Sequence, residues 1–409
     1  MLRILPGPIS ASKADDAQRT HWPDVPLAVL MLALPLIGLI AIYSASIAVA
    51  YAETGDPHFY FRRQLLFLVV GFAAAFTTMR IDYHWFFRIQ FFGINLTFWL
   101  LAAVLMVLVL MAVTDIGYLA RGSVRWIRWG SVSLQPSEIA KPAIALYLAQ
   151  ALARHETGVK RLVYFLVPTL LVGLLAAIVA QQPDLGTAVM ILIIGMSILV
   201  AARIPLLYLI GFVGAGSLAA WYAIILHPYR LQRLTAFLDP FNPQYQDNLA
   251  HHNFQALLAF GSGKITGVGL GRGMQKFFYM PEPHTDTIYA VIGEELGLIG
   301  TLAVLALYVL LAWRGFNVAA RAPDMFGQLL ALGLTCGLFG QALLNMAVVT
   351  GLLPFTGIPL PFISSGGSSL LASSIAMGIL LNISTQTETV TRNKSNSRWI
   401  ANSDSGPQP

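Results

Sequence analysis

Charged residues are scarce in this 409-residue chain, at 11% against 56% hydrophobic. A soluble domain carries about 25%. Mean hydropathy is +0.69. So little charge cannot cover a water-facing surface, and the composition is that of a polytopic membrane protein. Cysteine is nearly absent. Its single copy, Cys336, sits in an apolar stretch, which excludes a disulfide within the chain and any cysteine-based metal centre. No His/Asp/Glu spacing has the pattern of a protein-held metal. Dense basic runs are also missing, so nucleic acid is not expected as a partner despite the net charge of +6. A cleavable signal is not expected either. Residues 1–26 carry Lys13, Asp15, Asp16 and Arg19, and the first apolar run comes late and is long.

What is present is a series of long apolar stretches, at 27–49, 64–81, 93–113, 137–153, 161–180, 186–201, 205–226, 288–313, 327–353 and 366–384. A spanning helix needs about 20 such residues, so the expected fold is an all-α polytopic membrane protein of about ten transmembrane helices. The fourth and sixth stretches are short, which suits helices buried within protein. Residues 1–26 read as an N-terminal tail, 27–384 as the membrane domain, and 385–409 as a polar, disordered tail. Basic residues fall mainly on one set of connections, from Arg3, Lys13 and Arg19 to Arg392, Lys394 and Arg398. The short opposite loops carry only Arg62, Arg63, Arg121, Arg125 and Arg128. Cytoplasmic loops collect Lys and Arg, so both termini are expected in the cytoplasm. Segment 227–287, between helices seven and eight, becomes a large extracytoplasmic loop, and long ordered loops are usually functional. Loop 114–136 is rich in Arg, Trp and Gly, and loop 354–365 is uncharged with Pro354, Pro359 and Pro361. The inverted repeats common in transporters are not evident.

Ionisable groups at membrane depth are costly and mark sites. Asp286, in Pro281-Glu282-Pro283-His284-Thr285-Asp286, opens an apolar helix on the extracytoplasmic side. It is either the cap of that helix or a functional acid. A carboxylate drawn partly out of water holds a proton more readily, as a general base should. His284 beside it is either a second titratable group or a hydrogen-bonding structural residue. Glu138 and Lys141 lie three apart and share a helix face. They read as a self-neutralising buried pair, as part of a polar cavity, or as both. Asp184, after Pro183, is a good N-cap, and cap and function are equally open for it. Glu294 and Glu295 face the cavity or serve as structural partners for an arginine. Arg121, Arg125, Arg128, Arg230, Arg233, Arg272, Lys264 and Lys276 suit either a phosphate-bearing ligand or lipid headgroups.

Two glycine-rich runs are not what they first suggest. Gly261 to Gly271 lacks the Walker spacing, since position 258 is leucine and Lys264 is followed by Ile265. A close-packed loop is the better reading. Ser364-Ser365-Gly366-Gly367-Ser368-Ser369 is not a nucleophile elbow. Its small residues favour tight helix packing or a backbone-lined pocket.

Four segments together resemble the SEDS family (shape, elongation, division and sporulation). They are Arg125-Trp126 with Gln135-Pro136-Ser137-Glu138-Ile139-Ala140-Lys141; Gln182-Pro183-Asp184-Leu185-Gly186-Thr187; Pro281 to Asp286 followed by Gly293-Glu294-Glu295-Leu296-Gly297; and the stretch 345–369. Segments 229–237 and 271–280 are more similar to the division branch of that family than to its elongation branch. Ser133-Leu134 departs from relatives that place a basic residue before Gln135. The resemblance implies a peptidoglycan glycosyltransferase of the bacterial inner membrane, at the division septum. It would polymerise lipid II, a disaccharide-pentapeptide on undecaprenyl diphosphate. The catalytic acid falls on Asp286. Substrate contacts are expected from Glu138, Lys141, Asp184, Arg125, Trp126, His284, Arg230, Arg233, Lys276 and Ser365. The implied partners are a class B penicillin-binding protein transpeptidase, other divisome membrane proteins and membrane lipids. No tightly bound cofactor is implied, only a divalent cation (Mg or Mn) with the substrate diphosphate. The rival readings are a lipid II flippase and the elongation member of the same family.

Overall fold

The computed structural model describes residues 2–4, 22–114, 118–120, 123–129, 132–154, 162–225, 228–242, 251–277 and 279–403. Strand β1 (Leu2–Ile4) pairs antiparallel with β2 (Ile89–Phe91), and β2 with β3 (Ile94–Asn95). The helices are α1 (Val25–Thr54), α2 (Phe59–Arg80), the short α3 (His84–Arg88), α4 (Leu96–Val113), α5 (Pro136–Ala153), α6 (Leu162–Gln181), α7 (Leu185–Ala201), α8 (Leu206–Ile225), α9 (Pro228–Leu238), α10 (His251–Gly263), α11 (Ile288–Arg321), α12 (Met325–Val349) and α13 (Gly367–Ser403). Each apolar stretch of the sequence falls on one of these helices. Among the described residues, 6 helices are long and apolar enough to cross a membrane: α1, α2, α4, α11, α12 and the Gly367–Thr387 part of α13. The others that match apolar stretches are shorter or more polar. Backbone groups in hydrocarbon must be paired within their own segment, which is why apolarity here selects helix.

Local signals set several ends. The Asp24 carboxylate accepts from Leu27 N at 3.1 Å, and Gly55 closes α1 in the left-handed region at φ 73°. Asp324 caps α12 through Gly327 N at 2.8 Å. The short α5 is buried on nearly every side, packed among α4, α7, α12 and α13. That is the arrangement a short span requires. α13 lies closely along α2. A Cβ on Gly71 would stand 2.8 Å from Ser374 Oγ, and one on Gly378 would stand 2.4 Å from Ala75 O. Small residues draw these helices together where no hydrophobic drive exists between them.

The helical membrane fold is as expected, with one small addition: loop 114–136 carries an antiparallel meander of β4 (Tyr118–Ala120), β5 (Ser123–Trp129) and β6 (Val132–Leu134). Two expectations are corrected. Segment 227–287 is not one loop, since it contains α9 and α10. The eighth long helix runs to Arg321, and it is broken at Gly297, with φ 67° and ψ −162°.

Candidate active site

Asp286 sits at the head of α11, half-buried. The approach to it is a tight turn. Glu282 has φ 47°, and Thr285 donates from its N–H to Glu282 O at 3.0 Å. Thr287 is the N-cap residue of α11, and its side chain makes no capping hydrogen bond. Segment 281–287 is stitched to segment 354–366. Asn345 Nδ2 on α12 donates both to Asp286 O at 2.9 Å and to Ile358 O at 2.7 Å. Ser364 Oγ donates to Thr285 O at 2.7 Å, and Ser365 N donates to His284 O at 2.9 Å. The contact of Ser365 with this turn is thus through its backbone. Gly357, at φ 68°, faces the acid: a Cβ there would stand 3.4 Å from Asp286 Oδ2. The His284 ring is buried, 4.1 Å from the Tyr60 ring.

The start of α7 meets the same proline-rich segment. A Cβ on Gly186 would stand 2.1 Å from Ile358 Cγ1, so only glycine lets α7 approach. Asp184 is the cap of α7, accepting from Thr187 N at 3.1 Å. Its other oxygen accepts from Gln135 Nε2 at 2.9 Å and from Ser137 Oγ at 3.3 Å. The capping reading of Asp184 holds, and the same carboxylate also ties α7 to the start of α5. Arg125 on β5 donates from Nε to Gln182 O at 2.6 Å, and its guanidinium also reaches Pro183 O. Its hydrogen bonds hold the turn that presents Asp184. Trp126 is half-buried beside it, paired in register with Tyr118.

Glu138 and Lys141 form a buried ion pair at 2.8 Å. Lys141 Nζ also donates to Gln341 Oε1 at 2.5 Å, and Gln341 Nε2 donates to Pro359 O at 2.8 Å. This pair is therefore wired to the segment that lies against Asp286. Glu138 Oε1 is buried with no hydrogen-bond partner among the described residues. Buried polar atoms are normally satisfied, so a lone carboxylate oxygen calls for a reason.

Lys276 does not belong to this constellation. It is buried, with Nζ 2.6 Å from Glu295 Oε1 and 2.9 Å from Ser44 Oγ. Its charge is met within the protein by the Glu295 carboxylate. Glu295 has a lysine as its partner rather than an arginine. Glu294 accepts from the N–H groups of Met274 and Gln275. Arg230 and Arg233 lie on α9, with side chains outside the described residues, as are those of Arg121 and Arg128. Lys264 and Arg272 are exposed. No group of three or more His, Cys, Asp or Glu among the described residues is placed to hold a metal. Gln341 and Asn345 were not singled out from the sequence. Their signal was two amides four apart, one helical turn, in an otherwise apolar helix.

The cell cycle protein family model covering FtsW, RodA and SpoVE matches residues 25–389. The probable peptidoglycan glycosyltransferase FtsW of Trichlorobacter lovleyi is 39% identical over 362 residues, 88% of this chain and 93% of that protein. Stage V sporulation protein E of Bacillus subtilis is 39% identical over 368 residues, 88% of this chain and 97% of that protein. Among solved structures, rod shape determining protein RodA of Thermus thermophilus superposes with a TM-score of 0.65 at 26% identity, covering 89% of this chain and 97% of RodA. A chain from a structure described as structural coordination of polymerization and crosslinking by a peptidoglycan synthase complex superposes with a TM-score of 0.71 at 27% identity, covering 88% and 97%. With its motifs in order, its helices in the RodA arrangement and its whole membrane domain inside the family match, the chain belongs to the FtsW/RodA/SpoVE family, the SEDS proteins, and is a multi-pass membrane protein.

Proposed function

We propose that this chain is a peptidoglycan glycosyltransferase that polymerises lipid II into glycan strands during septal wall synthesis, with Asp286 as its general base. The observation that carries the reading is the meeting of 281–287 with 354–366, which presents the Asp286 carboxylate beside the Gly357 backbone. The relatives named as glycosyltransferases support the reaction class. In the reaction, the acceptor sugar's 4-hydroxyl oxygen attacks the donor's anomeric carbon. The hydroxyl proton passes to Asp286, and the bond from the anomeric carbon to the diphosphate breaks, its electron pair leaving with undecaprenyl diphosphate. The leaving charge needs cationic stabilisation. A divalent cation (Mg or Mn) carried by the diphosphate would supply part of it. Glu138 and Asp184 would position the substrate sugars.

On this reading the site opens to the extracytoplasmic side of the bacterial inner membrane, both termini are cytoplasmic, and the enzyme acts at the septum. A class B penicillin-binding protein would crosslink the strands. The similarity to a chain of a peptidoglycan synthase complex supports such a partner. The test is polymerisation of lipid II by purified protein in detergent, where no second compartment exists for a flippase to fill. The wild type should form strands. Asp286→Asn should bind substrate yet polymerise about 10²–10⁴-fold more slowly. Strand formation by Asp286→Asn at the wild-type rate would refute the assignment.

A further inference from the structure

We propose that Lys276, Glu295 and Ser44 form a positioning clamp for Asp286, a role that rests on the general-base reading above. The argument starts at the break in α11. In an unbroken helix Leu298 N–H would donate to Glu294 O, and Ile299 N–H to Glu295 O. Here Gly297 interrupts the ladder, and segment 264–269 is spliced into the gap. Glu294 O accepts from Val268 N at 3.0 Å, and Glu295 O from Gly269 N at 3.0 Å. Leu298 N donates to Lys264 O at 3.0 Å, and Ile299 N to Ile265 O at 3.2 Å. Both of these rungs are thus replaced from outside the helix, as low-dielectric surroundings demand. The splice needs glycine. A Cβ on Gly267 would lie 2.1 Å from Glu295 O, and one on Gly297 2.4 Å from Gly267 N.

The side chains repeat what the backbone does. The Glu294 carboxylate accepts from Met274 N at 2.7 Å and from Gln275 N at 3.2 Å. The Glu295 carboxylate takes Lys276 Nζ at 2.6 Å and the Ser44 hydroxyl of α1 at 2.6 Å, while Ser44 Oγ also accepts from Lys276. Glu294, Glu295 and Lys276 are 1%, 2% and 3% exposed. Two consecutive glutamates therefore use both their carbonyls and their carboxylates to hold one stretch, 268–276. Segment 288–296 is consequently a short helix pinned at both ends. Its far end is fixed by the splice and by α1, and its near end by Asn345 and Ser364. Asp286 stands just before its first turn. A buried ion pair is weak evidence for stability, because desolvation offsets its attraction. Joining α1, α11 and the 268–276 stretch, it has a geometric use: it fixes where the segment behind Asp286 sits. Lys276 acts on the reaction through that segment.

The experiment uses the full chain purified with its transpeptidase partner, and reads kcat and KM for lipid II polymerisation. Lys276→Met and Glu295→Gln should each lower kcat about 10- to 100-fold, the scale on which misplaced catalytic groups act, with KM within about twofold. The exchanged pair Lys276→Glu with Glu295→Lys should regain a large part of kcat. A wild-type kcat in a folded Lys276→Met protein would overturn the clamp. So would a raised KM with unchanged kcat, which would return Lys276 to the substrate. Should these variants fail to fold, Ser44→Ala carries the test, since it removes one hydroxyl and leaves both charges. A severalfold fall in its kcat supports the clamp, and an unchanged kcat removes it. Asp286→Asn runs in parallel: if it polymerises normally, the base assignment falls; if it is dead while Lys276→Met is normal, only the clamp falls.

Discussion

Glu138–Lys141 and Glu295–Lys276 are both buried ion pairs, at 2.8 Å and 2.6 Å, yet they are built for different ends. The first lies within one turn of α5, so the helix itself fixes its spacing. It constrains no other element except through Gln341. The second ties a loop to α11 and, through Ser44, to α1. The first leaves Glu138 Oε1 buried without a partner among the described residues, whereas no side-chain atom of Lys276, Glu295 or Ser44 is left so. A closed pair between elements holds geometry. A half-open pair within one element leaves a buried acceptor unmet, which is costly.

That contrast can be broken by mutation. Lys141→Met should have the largest effect, because it strands the Glu138 charge: stability should fall by about 3–5 kcal/mol, read as a lowered melting temperature in detergent. Adding Glu138→Gln should restore most of that stability while polymerisation stays impaired, since the open oxygen's charge is gone. The same stability as in Lys141→Met alone would mean the pair is not the coupled unit described. Next comes Gly297→Ala, which forces a Cβ against Ile265 O and Gly267 N at a positive φ; a cost of about 1–3 kcal/mol is expected. Limited proteolysis should then cut near 264–276. Protection equal to wild type would show that the splice does not depend on the break. Asp184→Ala removes the cap of α7 and should cost roughly 1 kcal/mol, also by thermal unfolding.

The smallest effect sharpens the comparison from a third, more exposed pair. His84 bonds Asp324 at 3.0 Å and Asp82 at 2.8 Å. Burial alone would lower its pKa, but hydrogen bonds to these two carboxylates raise it from 6.5 to about 9. The folded state thus favours the protonated ring. Its contribution is fully present below pH 6.5 and is lost as pH climbs through about 9. Asp82 is exposed, so solvent screening keeps the effect modest. Melting temperature should decline over that window in the wild type and decline less in His84→Gln. Equal slopes would contradict the pair.

Much of this was legible before the structure. The apolar stretches fell on helices, and Asp184 as a cap and Glu138–Lys141 as a pair were among the readings that spacing left open. The pairing of Lys276 was not legible because Glu295 is 19 residues away, beyond the 281–287 turn. The β4–β6 meander was missed because a strand exists only through its neighbour, and nothing local to 123–129 announces the pairing.

The sequence by itself decided where the chain crosses hydrocarbon, since each crossing must satisfy its own backbone over a run of apolar residues. It also decided which glycines permit left-handed turns and close contacts. Only the tertiary structure decided that α11 parts at Gly297 and that 264–269 fills the gap. Amides freed by a broken helix must be paired by another segment, and which segment comes within reach is a property of the packed bundle rather than of either stretch alone.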